Sequence, residues 1–396
     1  MRPLAPRPRP RSRSTQLAVA AALLAIGWAF LVRGAAHPGV AYRPWAFDHH
    51  AYSDLLAMAG DRYFHGGRPT PYLEDRIEYP PLLAAALWLP SFVSGTPWAY
   101  FTVSYLGLAL LALAAVAMLQ RLPGTSPWWL AGSPALAYYV GLNWDALPLA
   151  LLLAAVLALE HGRPGRAGAW AGLGASAKLF PVALLPAAAG ALAGRRAWLA
   201  LGLGALGFAA AVLAANLPVA LVAPGAWGWF WQFNGTRGAE NSIWEVLRHV
   251  PGAERLVFDA TFLNRATLAL LAPAAALAAW GAWRARSARA VRLGLGLVLV
   301  AWIAVNKVYS PQYALYVIAA GALCAAPAWL GVAVSAIAVL DYHVAFETRS
   351  SRGLVRYFDA VYTAEEVART AIFLVLLAWL ARELLRAARP SPETPR

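Results

Sequence analysis

The sequence predicts an all-α, polytopic membrane protein. Of its 396 residues, 60% are hydrophobic and 13% are charged, whereas charged residues make up about 25% of a soluble domain. Apolar runs of membrane-spanning length recur from one end of the chain to the other. Because no stretch between them is polar enough to fold separately, we expect a single integral-membrane domain over residues 1–396.

The positive charge of the chain lies mainly in short loops. The formal net charge is +14, and the arginines cluster between apolar runs, which is the pattern that orients a membrane protein. We therefore expect the lipid bilayer as a partner and no nucleic acid. The one cysteine, Cys324, lies in an apolar run, so a disulfide framework is excluded.

The first element follows a basic tail, residues 1–14, with five arginines. The apolar run over residues 15–33 is long for the core of a cleaved signal peptide, which is the alternative. We predict a first transmembrane helix with a cytoplasmic N-terminus. The abundance of Ala, Arg, Gly and Pro is typical of a GC-rich bacterial genome, so the predicted location is the bacterial plasma membrane.

We predict about 10–12 transmembrane helices, because a span needs roughly 20 apolar residues. The candidate spans are 15–33, 80–94, 98–120, 143–160, 197–217, 259–283, 289–305, 312–327, 329–343 and 367–386. Two further segments are ambiguous. Residues 128–142 are short for a span, and residues 166–193, broken by Lys178 and Pro181, are compatible with a re-entrant hairpin.

The arginine clusters place most short loops, both termini and the tail 387–396 on the cytoplasmic side. Arg121 is the exception in this threading. The polar groups concentrate on the other face, so we predict an extracytoplasmic active site. The loops on that outer face are 34–79, 121–127, 218–258, 306–311 and 344–366.

The first outer loop contains the candidate acids Asp48, Asp54 and Asp61 and ends near Glu78. The apolar spacing over residues 52–64 predicts an interfacial helix with Asp54 and Asp61 on one face. An ordinary solvated loop acid is the alternative. A carboxylate sheltered from water beside the membrane can serve as a general base.

The second large outer loop, 218–258, carries an aromatic cluster over residues 227–233. Such clusters are typical of the interfacial aromatic belt. Arg237, Glu240 and Asn241 follow it, and aromatics beside Arg and Asn also suit sugar stacking and hydrogen bonding.

Only two of the 33 basic residues are lysines, Lys178 and Lys307. Both lie beside apolar runs, where an ionisable group is a functional hypothesis. Lysine is a compact point charge with three donors, and a buried cation needs an anion that a lipid phosphate would supply. Snorkelling to the interface is the alternative for Lys307.

Several blocks of the sequence, taken in order, resemble bacterial glycosyltransferase family 87. The blocks are YSDL (52–55), EYPPL (78–82), NWDALPLALLLAA (143–155), AGAWAGLGASAKLFPVALLP (167–186), NLPVALVAPGAWGWFWQFNGTRGAENSIW (216–244) and NKVYSPQYALYV (306–317). The resemblance implies an integral-membrane enzyme of the GT-C fold that uses polyprenyl-phosphate sugars. The family is best known for α-mannosyltransferases of cell-envelope glycolipid synthesis. Residues 345–366 share no motif with it.

The resemblance also implies roles for residues. It places an inverting general base at Asp54, with Asp48 as the reserve, and donor-phosphate contacts at Lys178, Lys307 and Arg237. The implied sugar or acceptor contacts are Glu78, Tyr79, Asn143, Asp145, Asn241, Trp244, Tyr309 and Gln312.

The resemblance implies a polyprenyl-phosphate sugar as the donor. The chain has no nucleotide-sugar domain, no Gly-rich phosphate loop and no DxD motif, which argues against a cytoplasmic nucleotide sugar. Mannose follows from the resemblance alone; arabinofuranose and glucose remain open. The acceptor is a cell-envelope glycolipid or glycan. Because lysines can neutralise the phosphate, we make no firm prediction of a metal or another cofactor. A carboxylate-bound divalent ion remains open.

Two functions from other classes compete with this hexosyltransferase. A transporter or flippase of lipid-linked sugars also needs buried cations, but we find none of the internal repeats that many transporters show. A non-catalytic membrane assembly partner is the third interpretation.

Overall fold

The structure is a computed structural model, and it describes residues 10–63, 67–350 and 355–389. Parts of the predicted tails 1–14 and 387–396 lie outside the described residues. The same holds for part of the loop 344–366 and for the end of the predicted helix 52–64.

The described residues fold into α-helices joined by loops and short 3₁₀ helices. In chain order the α-helices are α1 Pro10–Leu31, α2 Tyr42–Asp48, α3 Asp54–Tyr63, α4 Pro81–Trp88, α5 Pro97–Arg121, α6 Trp128–Ala131, α7 Ala135–Tyr139, α8 Ala146–Glu160, α9 Pro164–Ala175, α10 Leu184–Gly194, α11 Trp198–Val222, α12 Pro224–Thr236, α13 Ala260–Ala285, α14 Ala288–Val305, α15 Ala314–Cys324, α16 Ala328–Glu347 and α17 Val355–Ala387. The 3₁₀ helices are Val32–Ala36, Gly39–Ala41, Leu89–Phe92, Phe180–Ala183, Ile243–His249, Glu254–Phe258 and Pro311–Tyr313.

The antiparallel pair α1 and α5 defines the two ends of the bundle. The Tyr105 hydroxyl donates to the Leu24 carbonyl at 2.6 Å, and Gln120 Nε2 donates to the Arg13 carbonyl at 2.9 Å. We call the end that contains Arg13 the basic end, because Arg292 also lies there, bonded to the Pro123 carbonyl. The opposite end, formed by residues 34–63 and 224–258, is the loop end.

Most of the described helices run between these two ends. Six of them, in α1, α5, α11, α13, α14 and α16, are long and apolar enough to cross a membrane. Shorter apolar helices, such as α8, lie among them. The prediction of an all-α, multi-pass membrane bundle is confirmed.

The predicted span 80–94 is wrong. Its residues form α4 and the 3₁₀ helix Leu89–Phe92, and α5 starts beside them at the loop end, where the Tyr100 hydroxyl donates to the Leu87 carbonyl. Proline at positions 81 and 90 limits each helix to a short piece. The segment therefore stays at the loop end.

The placement of 121–127 as an outer loop is wrong for the same reason. With one span fewer before it, α5 ends at the basic end, where Gln120 meets Arg13 and Arg292 donates to the Pro123 carbonyl. Arg121 is therefore no exception to the arginine pattern.

The ambiguous segment 128–142 does run from one end to the other, as α6 and α7. Ser126 N donates to the Ala322 carbonyl at one end, and Ser53 Oγ donates to the Gly141 carbonyl at the other. The segment crosses as two short helices instead of one continuous helix. Residues 166–193 form a hairpin of α9 and α10 that returns to the basic end, and Lys178 lies in its tip.

Helix α11 packs against α9 along a line of glycines. A Cβ at Gly168 would overlap the Gly204 carbonyl, and one at Gly207 would overlap the Gly165 carbonyl. Small residues of this kind let two helix backbones approach closely in a membrane. The rest of α11 is largely exposed, so this seam carries most of its attachment.

Replacing Gly168 by valine should detach α11 from α9. We expect a loss of about 1–3 kcal/mol of stability, because the added side chain meets backbone that has nowhere to move. Thermal unfolding of the purified protein in detergent measures it. Gly202→Val is the matched control, since a Cβ at Gly202 meets nothing within 4 Å. Equal losses in both variants would contradict the packing role of the seam.

Candidate functional site

A cavity of about 460 Å³ lies at the loop end. We call it the polar cavity. It is bordered by the start of α3, the tip of the α9–α10 hairpin, α12 and the loop after α14. The residues predicted from sequence that line it are Asp54, Glu78, Tyr79, Asn143, Lys178, Arg237, Lys307 and Gln312.

Backbone contacts fix Asp54 against the core of the bundle. Asp54 N donates to the Leu142 carbonyl at 2.8 Å, and Ser53 Oγ donates to the Gly141 carbonyl at 2.5 Å. The start of α3 is thereby joined to the segment that connects α7 and α8. Asp54 belongs to a loop in sequence, but its position is set by the helices beneath it.

The Asp54 carboxylate accepts hydrogen bonds from two neutral donors. The Tyr52 hydroxyl donates to Oδ1 at 3.0 Å, and Asn143 Nδ2 donates to Oδ2 at 2.7 Å. Burial raises the pKa of Asp54, while the bonds from Asn143 and Tyr52 oppose the rise. A carboxylate with a raised pKa is a stronger base than a solvated one.

The predicted helix in the first outer loop is confirmed as α3, whose buried side includes Leu55 and Met58. Asp54, at the first position of the helix, lines the polar cavity. Asp61 lies two turns further along the same helix, outside the cavity, and pairs with Arg43 at 2.7 Å on the exposed side.

Lys178 meets its anion inside the protein. Its Nζ donates to both carboxylate oxygens of Asp145 at 2.7 Å. The Asp145 side chain is 0% exposed and that of Lys178 is 14% exposed. Asp145 therefore supplies an anion for Lys178 within the protein, so a lipid phosphate is not needed to neutralise this lysine. Asp145, predicted to contact sugar, lies beneath the cavity as the counter-ion.

Lys307 is in a different position. Its Nζ donates to the Gly235 carbonyl at 3.1 Å, and no carboxylate of the described residues forms an ion pair with it. Burial, together with the charge of Arg237, lowers the pKa of Lys307 to about 8. Arg237 itself pairs with Glu240. Lys307 is thus the cation of the cavity whose charge the described residues leave unpaired.

A short backbone pairing brings these cations together. Glu240 N donates to the Lys307 carbonyl and Tyr309 N donates to the Glu240 carbonyl, both at 2.9 Å. Ser242 Oγ also donates to the Lys307 carbonyl at 2.9 Å. We call the paired segments 237–242 and 306–309 the clip. It joins the two loops that supply Arg237 and Lys307.

Two predicted site residues hold loops instead of lining the polar cavity. Asp48, the reserve base, accepts a hydrogen bond from Ser350 at 2.9 Å. Trp244 donates through Nε1 to the Val305 carbonyl at 2.8 Å. Both lie outside the cavity wall.

Asn241 and Tyr309 also lie behind the cavity wall. The Asn241 side chain accepts from the Tyr362 hydroxyl. The Tyr309 ring is buried beneath the Arg369 guanidinium, 3.9 Å from the ring centroid. Their backbones belong to the clip, so they position the wall rather than touch what the cavity holds.

Several aromatic and amide residues that line the polar cavity are not among the predicted site residues. Their rings and primary amides suit the faces and hydroxyls of a sugar. The rings of the 227–233 cluster are predicted from the sequence to suit sugar stacking, with an interfacial aromatic belt as the alternative. The amide of Asn264 inside a predicted span is a signal that could have been used. These aromatic and amide residues are Phe180, Phe230, Trp231, Phe233, Asn234, Asn264, Trp302, Asn306 and Tyr313.

An apolar groove of about 340 Å³ adjoins the polar cavity. The two share the lining residues Pro80, Leu179, Phe230 and Trp231. Beyond this shared wall the groove is lined by α11 and the end of α9, mostly with apolar side chains. The polar cavity and the apolar groove therefore lie next to each other, with these four residues between or beside them.

A family model described as Glycosyltransferase family 87 matches residues 78–311. The chain belongs to glycosyltransferase family 87. It is a membrane glycosyltransferase, and membership of an enzyme family favours this function over the transporter, the flippase and the assembly partner. The match includes Asn143, Lys178 and Lys307, whereas Asp54 precedes it.

No curated protein matches the chain. Among solved structures it is similar to that of ArnT from Cupriavidus metallidurans bound to undecaprenyl phosphate, with 16% sequence identity and a TM-score of 0.45. The alignment covers 96% of this chain and 81% of that chain.

Breaking the Lys178–Asp145 pair from either side should destabilise the glycosyltransferase. We expect Lys178→Met and Asp145→Leu each to cost about 3–5 kcal/mol, because each leaves a buried charge without its partner. The double variant should recover most of that loss. Thermal unfolding in detergent measures all three. If the double variant lost as much stability as the two single variants together, the two side chains would not stabilise the fold as a pair.

Proposed function

We propose that this family 87 enzyme transfers a sugar, with mannose as the first candidate, from a polyprenyl-phosphate donor to a cell-envelope glycolipid or glycan. The observation that carries the proposal is the polar cavity with an apolar groove directly beside it. The reaction takes place at the extracytoplasmic face of the bacterial plasma membrane, with both termini in the cytoplasm. The proposal includes the GT-C architecture, which the family resemblance implies.

The shape of the donor matches the two chambers. A polyprenyl-phosphate sugar has a polar head and a long apolar tail. The head occupies the polar cavity, and the tail leaves past Leu179 and Trp231 into the groove. A nucleotide sugar has no apolar segment to fill the groove, so the groove favours the lipid-linked donor.

Asp54 is the proposed general base. It removes the proton from an acceptor hydroxyl, and the resulting oxygen attacks C1 of the donor sugar. The bond between C1 and the phosphate oxygen breaks, so polyprenyl phosphate leaves with the bonding electron pair and the sugar is inverted at C1. Tyr52 and Asn143 hold the Asp54 carboxylate in place for this step.

The leaving phosphate gains negative charge in the transition state, and preorganised cations stabilise it most effectively. Lys307 has an unpaired charge for this role, and Lys178 and Arg237 line the same cavity. The proposal assigns charge compensation to these side chains. The described residues contain no group of three or more His, Cys, Asp or Glu side chains that could hold a metal ion.

The sugar itself is assigned to the amides and rings of the cavity wall. Asn264 Nδ2 donates to the Gly235 carbonyl and Asn234 Nδ2 donates to the Phe230 carbonyl. Both side-chain carbonyl oxygens are left to accept from sugar hydroxyls. Mannose is proposed ahead of arabinofuranose and glucose from the family resemblance, not from this wall.

The test of the function is transfer of label in membranes. Membranes with wild-type protein or Asp54→Asn receive polyprenyl-phosphate [14C]mannose, and label is followed into lipid and polymer fractions. We expect incorporation by the wild type and a loss of about 10²–10⁴-fold in Asp54→Asn, the range for loss of a general base. Parallel reactions with arabinose- and glucose-charged lipids identify the sugar.

Asp61→Asn is the matched control, because Asp61 lies on the same helix but outside the polar cavity. It should transfer label normally. Full transfer by Asp54→Asn would move the base to another carboxylate of the polar cavity, with Glu78→Gln tested next. No transfer from any of the three lipid donors, with acceptor present, would contradict the proposed function.

The pH dependence of transfer should identify Lys307. Its protonated form binds phosphate, and its pKa is about 8, so kcat/KM for the donor should fall as pH rises through about 8. Lys307→Arg should keep its charge and move this loss to higher pH. At neutral pH it should be slower, because a planar guanidinium replaces a compact ammonium.

Lys178→Arg is the comparison variant. It should leave the alkaline loss near its wild-type position, because Lys178 is charge-paired with Asp145. If kcat/KM for the donor fell at the same pH in Lys307→Arg as in the wild type, a group other than Lys307 would be titrating. Near-normal turnover at neutral pH in both variants would remove the argument that lysine is needed at either site.

A further inference from the structure

A buried ionic cluster lies directly behind the clip and outside the polar cavity. Arg369 on α17 donates through Nη1 to Asp341 Oδ1 at 2.6 Å and to Glu365 Oε2 at 2.8 Å. All three side chains are buried. One guanidinium therefore pairs with two buried carboxylates, one on α16 and one on α17.

The same guanidinium touches both segments of the clip. Its Nη2 donates to the Asn241 carbonyl at 2.6 Å. Its face covers the Tyr309 ring, with the guanidinium carbon 3.9 Å from the ring centroid, close enough for a cation–π contact. Asn241 belongs to one segment of the clip and Tyr309 to the other. A planar group with a fork of donors can make these contacts at once, whereas an ammonium cannot.

Helix α17 also contacts the turn of the clip. Asn241 has a φ of 50°, in the left-handed region, which asparagine adopts more readily than most residues with a side chain. Its side chain accepts from the Tyr362 hydroxyl, and its carbonyl accepts from Arg369. These two contacts from α17 fix the position of the turn.

The other surface of the clip carries the cations of the cavity. The Lys307 carbonyl accepts from Glu240 N and Ser242 Oγ, and Lys307 Nζ donates to the Gly235 carbonyl. Arg237 lies a few residues before Asn241 on the same segment. A shift of the clip would therefore move Lys307 and Arg237 together.

We propose that Arg369 is a positioning residue for the cationic wall of the polar cavity: it fixes Lys307 and Arg237 by holding both segments of the clip from behind. Arg369 does not line the cavity, so it acts only through the clip. What these cations bind depends on the proposed function. The position in which Arg369 holds them does not.

A purely structural role is the competing explanation. In that case Arg369 only pairs with Asp341 and Glu365. Its replacement would then loosen the whole bundle without a particular effect at Lys307. The surroundings of Lys307 distinguish the two explanations. A clip held in place keeps the Lys307 ammonium partly buried and near Arg237, which is what lowers its pKa to about 8.

The test uses the fact that the chain has two lysines, Lys178 and Lys307. The full-length protein in detergent is treated with a small amine-reactive reagent over a range of pH, and mass spectrometry reads each lysine separately. We expect a midpoint near pH 8 for Lys307 in the wild type. In Arg369→Lys the midpoint should rise by about one unit or more, because water enters and Arg237 moves away.

Arg292→Lys is the matched control. Arg292 is also a buried arginine with a carboxylate partner, Glu160 at 3.4 Å. It lies near the start of α14, whereas Lys307 follows the end of that helix. The control should leave the Lys307 midpoint unchanged. An equal shift in Arg292→Lys, or no shift in folded Arg369→Lys, would overturn the proposal.

If Arg369→Lys does not fold, Tyr309→Leu takes its place. It keeps the ion pairs of Arg369 and removes the ring beneath the guanidinium. We expect a smaller upward shift of the Lys307 midpoint, and no shift would overturn the proposal. The labelling needs no donor or acceptor, so its outcome is independent of whether sugar transfer from polyprenyl phosphate is confirmed.

Discussion

The ion pair between Lys178 and Asp145 fixes the floor of the polar cavity. Lys178 lies in the tip of a helical hairpin, and Asp145 lies just before α8. Because both charges are buried, neither is stable without the other, and the hairpin tip must stay at the level of α8. Asn143, two residues before Asp145, bonds to Asp54. One short segment therefore sets the relative positions of the cation and the carboxylate.

The walls of the cavity are built differently from its floor. The floor consists of helix ends joined by a buried ion pair, whereas one wall is the clip, two loop segments paired by a few hydrogen bonds. Loops of this kind usually open at lower cost than helical cores. The floor can therefore keep the Asp54 carboxylate still, while the wall that carries Lys307 needs bracing by α17.

Much of the fold and part of the site could be predicted from the sequence, because both depend on the difference between apolar runs and the polar residues next to them. Apolar runs gave the bundle, and Lys178 and Lys307 stood out as ionisable groups beside those runs. Asn143 followed from the family resemblance. The span 80–94 failed because hydropathy measures apolarity and not how prolines divide a segment. The partner of Lys178 was missed because the pair is 33 residues apart in sequence, and pairing across helices leaves no local pattern.

The attachment of α11 has a consequence for how a lipid reaches the enzyme. This helix forms one side of the apolar groove, contacts its neighbours mainly along a glycine seam, and turns most of its surface outward. A donor with a long tail can then enter sideways from the bilayer, without its tail crossing water. Its supply would be a two-dimensional encounter, so turnover would follow the mole fraction of donor among the surrounding lipids and not its amount per volume of solution.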